Sequence, residues 1–124
     1  MKILIINAGS SSVKFQVFEM NTEEVLCRGR VENIGPHEGK LILKCEKRGK
    51  HEKKLLIPDF PSALGLILET ITSSQFKILD SISEIDAVGH RVVHGGEEFA
   101  DACIVTEEML SAMESCIELA PLHN

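Results

Sequence analysis

No run of apolar residues in this 124-residue chain approaches the eighteen or so that a membrane span needs. The apolar stretch Ile3 to Ile6 is too short for the core of a secretory signal and runs directly into polar residues, so the expected compartment is the cytoplasm. Cys-x-x-Cys spacing is also missing. The four cysteines, Cys27, Cys45, Cys103 and Cys116, stand apart in apolar surroundings and read as reduced core thiols of a cytosolic protein. Positive charge is in the minority, with 13 Lys and Arg against 19 Asp and Glu for a net charge of −6, and the basic residues concentrate between Lys40 and Lys54. That distribution argues against nucleic acid as a main partner. Within it, Lys44, Lys47, Arg48, Lys50, Lys53 and Lys54 alternate with Glu46 and Glu52 and read as the solvated face of a hairpin around Gly49. There is no internal repeat, low-complexity tract or interdomain linker. With 44% hydrophobic residues, the composition suits one domain of ordinary size.

The chemistry begins at the amino terminus. Ile3 to Ile6 is a bulky apolar run that reads as a buried strand, and it ends in the polar segment Asn7-Ala8-Gly9-Ser10-Ser11-Ser12. Gly9 permits unusual backbone angles and a close approach of the main chain, while the three serines bring hydroxyls and backbone N–H groups to one place. From Val13 onward, Val13, Phe15 and Val17 alternate with Lys14 and Gln16, which predicts a second strand returning beside the first. Lys14 falls on the face opposite Val13, where its ammonium can meet phosphate oxygens as a point charge. The pattern is not a Walker A loop, since no Gly-Lys-Ser/Thr opens a helix here. Asn7, ending an apolar strand, can offer its amide oxygen to the loop or to a water on Mg²⁺. A plain hairpin turn is the competing reading of the loop taken by itself.

A second polar constellation, Gly89-His90-Arg91-Val92-Val93-His94-Gly95-Gly96, sits between β-branched residues and reads as a strand ending in a turn. Two histidines four apart invite a zinc reading on a helix, but on a strand they would stand about 13 Å apart, too far to share one ion. Arg91 and Val93 share one face of that strand, offering a guanidinium fork beside a small apolar wall, an arrangement suited to a short carboxylic acid.

The remainder reads as scaffold. Val25 to Ile34, Lys40 to Cys45 and about His51 to Ile57 predict further strands of a largely antiparallel sheet. Pro58 and Pro61 punctuate the chain before Leu64, Ile67, Leu68 and Ile71, which repeat at helical spacing to about Gln75. Ser81 to Asp86 leads into a strand over Val88 to Val93. Thr106 is placed to cap a last helix with Glu107 and Glu108 in its first turn and Leu110, Met113, Ile117 and Ala120 on its buried face. This succession predicts an α/β domain with helices covering at least one face of the sheet.

Asn7-Ala8-Gly9-Ser10-Ser11-Ser12-Val13-Lys14 and Gly89-His90-Arg91-Val92-Val93-His94-Gly95-Gly96 together resemble the two signature segments of the acetate kinases, and Ala120-Pro121-Leu122-His123-Asn124 is similar to a third. The resemblance spans residues 1–124. It implies an actin-like (ribonuclease H-like) α/β first domain with a mixed, largely antiparallel sheet, incomplete here and lacking the second domain. It further implies ATP-dependent phosphorylation of acetate to acetyl phosphate with Mg²⁺, in a cytoplasmic homodimer. Carried over by position, Asn7 matches the Mg²⁺-associated residue, Gly9, Ser10, Ser12 and Lys14 the phosphate loop, Arg91 the arginine that holds substrate carboxylate or phosphoryl group, Val93 and Leu122 the methyl pocket, and His123 the histidine near the transferring phosphoryl group. The family's catalytic acid and most of its adenosine pocket match nothing in 1–124, so the chain alone is expected to be inactive. Propionate or butyrate phosphorylation, and a non-catalytic phosphate-loop module complementing a partner chain, are the alternatives.

Overall fold

A computed structural model of the protein describes residues 1–94 and 97–121, with the backbone alone described over 91–94 and 97–102. Strands β1 (Lys2–Ala8), β2 (Val13–Glu19), β3 (Glu24–Glu32), β4 (Glu38–Cys45) and β5 (Gly49–Leu56) follow one another and pair as antiparallel neighbours. Helix α1 (Phe60–Thr72), a 3₁₀ turn at Ile82–Glu84, β6 (Ile85–His94), β7 (Glu97–Ile104) and α2 (Glu107–Glu118) complete the described chain. The sheet order is β5-β4-β3-β2-β1-β6-β7, with β6 parallel to β1 and β7 antiparallel to β6. The sheet is thus mixed and largely antiparallel, as expected.

Alternation decides which face is covered. Leu4, Val13, Phe15, Val17, Cys27, Val31, Leu41 and Leu43 are buried on one face beneath Leu66, Ile67 and Ile71 of α1. Lys14, Arg28, Arg30 and Lys44, the intervening residues, are exposed on the other. Helix α1 is buried around most of its circumference because α2 packs on its outer side. At that crossing a Cβ on Gly65 would stand 1.8 Å from the carbonyl oxygen of Cys116, so only glycine allows the two backbones to approach.

The helix ends follow their capping residues. Asp59 Oδ1 accepts a hydrogen bond from the Ser62 amide at 2.8 Å, and Thr106 Oγ1 accepts one from the Met109 amide at 3.2 Å, the latter as its sequence position predicted. Helix α1 stops at Thr72, short of Gln75, because Ser73 turns its amide and hydroxyl back to the Thr70 carbonyl. Lys2 pairs with Glu84 at 3.0 Å and donates its amide to Asp86 Oδ2 at 2.9 Å, fastening the start of β1 to the entry of β6. That contact draws the Lys2 pKa up and the Glu84 pKa down, chiefly through the hydrogen bond between them.

Three expectations are corrected. Strand β7 has no counterpart in the sequence reading, because Glu97–Ile104 carries two leading acids and three small residues with little β-branching, and its strand character comes from pairing with β6. Strand β5 begins at Gly49, whose φ of 75° makes the turn from β4. Cys103 is exposed on β7 and Cys116 half-buried, so only Cys27 and Cys45 are core thiols.

Candidate functional site

The segment 9–12 joins β1 to β2. Within it the Gly9 amide donates to the Ser12 carbonyl at 2.8 Å, and the Ser11 carbonyl accepts from Ile34 at 2.9 Å, which ties the loop to the end of β3. Gly9 does not adopt a positive φ, contrary to the role its residue type suggested; Gly35 and Gly49 do. Its smallness serves proximity instead, since a Cβ there would lie 3.0 Å from Ser12 Oγ. Among the described residues the Ser10 and Ser11 amides and the hydroxyls of Ser10, Ser11 and Ser12 have no hydrogen-bond partner, and Ser10 and Ser11 are exposed. These are free donors of the kind an anion accepts.

The sheet register sets the neighbours of this loop. Asn7 faces Lys14 across the β1–β2 ladder and faces Arg91 across the β1–β6 ladder. Lys14, Asn7 and Arg91 therefore occupy one row across three adjacent strands, spanning about 10 Å at the usual strand spacing. Asn7 is half-buried and Lys14 exposed, and neither side chain has a hydrogen bond or ion pair among the described residues. The row lies at the carboxyl end of β1, beside the loop. His90 and His94 lie on the continuous strand β6, so the four-residue spacing is strand spacing. The side chains of Arg91 and Val93, and the whole of Gly95, Gly96, Leu122 and His123, fall outside the described residues.

Two residues near the row were not singled out from sequence. Arg30 of β3 faces Lys14 across the β2–β3 ladder and pairs with Glu32. Arg28, two residues back, faces Gln16. The inward alternation of Cys27, Gly29 and Val31 carried the signal that Arg28 and Arg30 point outward. A shallow concavity of about 500 Å³ begins at Asn7 and Lys14 and runs over these strands.

Among the described residues no three His, Cys, Asp or Glu side chains converge as a metal cage. Asn7 nonetheless offers the kind of donor that Mg²⁺ accepts, a neutral oxygen with no other partner, and Mg²⁺ ordinarily keeps most of its waters and leans on one or two protein oxygens and on phosphates. That single oxygen fits an Mg²⁺ held mainly through its waters.

Known proteins resemble this chain over nearly its whole length. Residues 2–124 match the family model described as the acetokinase family. The acetate kinase of Clostridioides difficile (strain 630) is 50% identical over 127 residues, covering 100% of this chain and 31% of that protein. Among solved structures, Porphyromonas gingivalis acetate kinase superimposes with a TM-score of 0.73 at 41% identity over 99% of this chain and 31% of its own. A propionate kinase from Francisella tularensis superimposes with a TM-score of 0.64 at 34% identity, over 98% and 30% respectively. The chain thus spans about 31% of the length of the curated acetate kinase it matches. With the matched model covering nearly every residue and the α/β sheet of its solved relatives reproduced, the chain belongs to the acetokinase family.

Proposed function

We propose that this chain supplies the phosphate-loop side of an enzyme that moves the terminal phosphoryl group of ATP to acetate, giving acetyl phosphate and ADP, and runs in reverse to make ATP. The observation that carries the reading is the row Lys14, Asn7 and Arg91 beside a loop of free amides and hydroxyls. In this reading Gly9, Ser10 and Ser12 cradle phosphate oxygens, Lys14 neutralises charge on the ATP phosphates, and Arg91 holds the acetate carboxylate against the phosphoryl group. Acetate is already ionised at neutral pH, so its oxygen attacks phosphorus without a general base, and ADP leaves as the opposite P–O bond breaks. What the protein must do is position and offset charge, which explains a site made of cations and N–H donors. His123 is assigned a hydrogen bond to the transferring group, and Val93 with Leu122 the wall against the acetate methyl. Asn7 would hold Mg²⁺ through a water; that ion, when bound, neutralises phosphate charge.

The working enzyme is read as a cytoplasmic homodimer, and residues 1–124 by themselves as inactive, since they match only 31% of the curated acetate kinase. The described helices include none long and apolar enough to cross a membrane. The test is a chimera in which residues 1–124 replace the matching segment of the Clostridioides difficile enzyme. ATP-dependent acetyl phosphate formation by the chimera, and none by the chain alone, is the expected result. A folded but inactive chimera would remove the reading.

The propionate kinase neighbour supports a second reading in which the acid carries one more methylene. That difference amounts to about 1–3 kcal/mol in an apolar pocket, so the ratio of kcat/KM for acetate and propionate in the chimera decides it.

A further inference from the structure

Open-face residues of the sheet include a run of like charges placed directly opposite one another. Lys50 of β5 faces Lys44 of β4, and Lys44 faces Arg28 of β3, so three cations stand side by side on three adjacent strands about 4.8 Å apart. All three are exposed. Directly opposed like charges destabilise a sheet, and compensation here is sparse: Lys50 pairs with Glu52 at 3.1 Å, while Lys44 and Arg28 have no ion pair among the described residues. In the next row Arg30, paired with Glu32, faces Lys14. Together Lys14, Arg28, Arg30, Lys44 and Lys50 line the concavity of about 500 Å³, whose walls contain no acidic residue. This is five of the 13 lysines and arginines of a chain whose net charge is −6. By sequence Lys44 and Lys50 belong to a solvated hairpin face; the β3–β4 pairing adds Arg28 alongside them.

We propose that this face is a second anion site, distinct from the phosphate loop, that binds a short chain of phosphates across Arg28, Lys44 and Lys50. Neighbouring phosphates would offset the repulsion along the row, and the Arg28 guanidinium can grip one of them in bidentate fashion while the two ammoniums act as point charges. The concavity has the size of a small-molecule site rather than of a macromolecular groove. A contiguous row of cations and open volume favour a linear polyanion over a single compact ion. The inference stands apart from the proposed phosphotransfer, since Arg28, Lys44 and Lys50 have no part in it.

The test is calorimetric titration of the 124-residue chain at low salt with sodium tripolyphosphate, and in separate arms with metal-free ATP and with inorganic phosphate. Saturable tripolyphosphate binding is expected, weaker for inorganic phosphate, and falling about tenfold or more in R28Q/K44Q/K50Q. ATP binding that falls in step with tripolyphosphate in the triple variant would mean that nucleotide-borne phosphates use this face. ATP binding lost only in Lys14→Ala would place ATP on the phosphate loop and leave the face to free oligophosphate. Circular dichroism and the urea midpoint check that the variants are folded, and the charge reversal Lys44→Glu gives a second variant if the triple one is not. Absence of saturable tripolyphosphate binding to the parent, or equal affinity in a folded triple variant, overturns the proposal.

Discussion

Where α1 crosses α2, one missing methyl group sets the distance between them. Alanine at Gly65 would gain about 1 kcal/mol of helix propensity, but its Cβ would press on the Cys116 carbonyl at 1.8 Å, and overpacking of that kind costs about 3 kcal/mol. Gly65→Ala is therefore expected to lower stability by about 2 kcal/mol in urea unfolding, with Gly65→Ser at least as severe. A second residue-scale expectation concerns Cys27, whose thiol pKa burial and the nearby Cys45 push up to about 12 from an unfolded value of 9.0. Because the folded state resists ionisation, its contribution is fully present below pH 9 and is lost as pH rises from 9 toward 12. Urea midpoints measured from pH 8 to 11 should fall, and fall less in Cys27→Val. In native protein at pH 8, exposed Cys103 should be alkylated well before Cys27. At this scale the sequence was readable where alternation governs, as for Val13 inward and Lys14 outward. It was misleading where the reason is a specific neighbour: Gly9 is small for Ser12 rather than for its φ, and Cys103 lies on a strand whose outer position no local pattern marks.

The secondary-structure elements are held at their ends by named side chains. Asp59→Ala and Thr106→Ala each remove an N-cap acceptor and should each cost about 1 kcal/mol. On the sheet, Lys44 sits between Lys50 and Arg28, so Lys44→Glu turns two repulsive pairs into attractive ones. It should raise stability by about 0.5 kcal/mol while weakening tripolyphosphate binding, and that opposition between folding and binding is the signature of a functional rather than a structural charge. The elements legible in advance were those whose pattern is strong: β1 to β5, the middle of β6, the apolar stripe of α1 and the Thr106 cap. Strand β7 was not, because its acids and small residues carry little strand preference and its pairing with β6 supplies what propensity does not.

For the molecule as a whole, the decisive event is the parallel pairing of β1 with β6, which brings Asn7 beside Arg91 across 84 positions of sequence. No local pattern predicts such a pairing. The two polar segments could be recognised as chemically suggestive one at a time, and the family resemblance joined them, but their meeting in one row with Lys14 is a property of the sheet order. The same order places the five-cation face next to the phosphate loop, where the chain's overall negative charge gave no hint of it.

In the proposed transfer Lys14 offsets charge on the ATP phosphates while Arg91 holds acetate against the transferring phosphoryl group, so both serve one transition state. The most direct test is the rate of acetyl phosphate formation in the chimera carrying Lys14→Ala, Arg91→Ala and both together, with folding checked by circular dichroism. Each single change should lower kcat/KM by about a hundredfold, and the double change by clearly less than the product of the two, as for groups that serve one transition state. A folded single variant that retains the parental rate would contradict the claim.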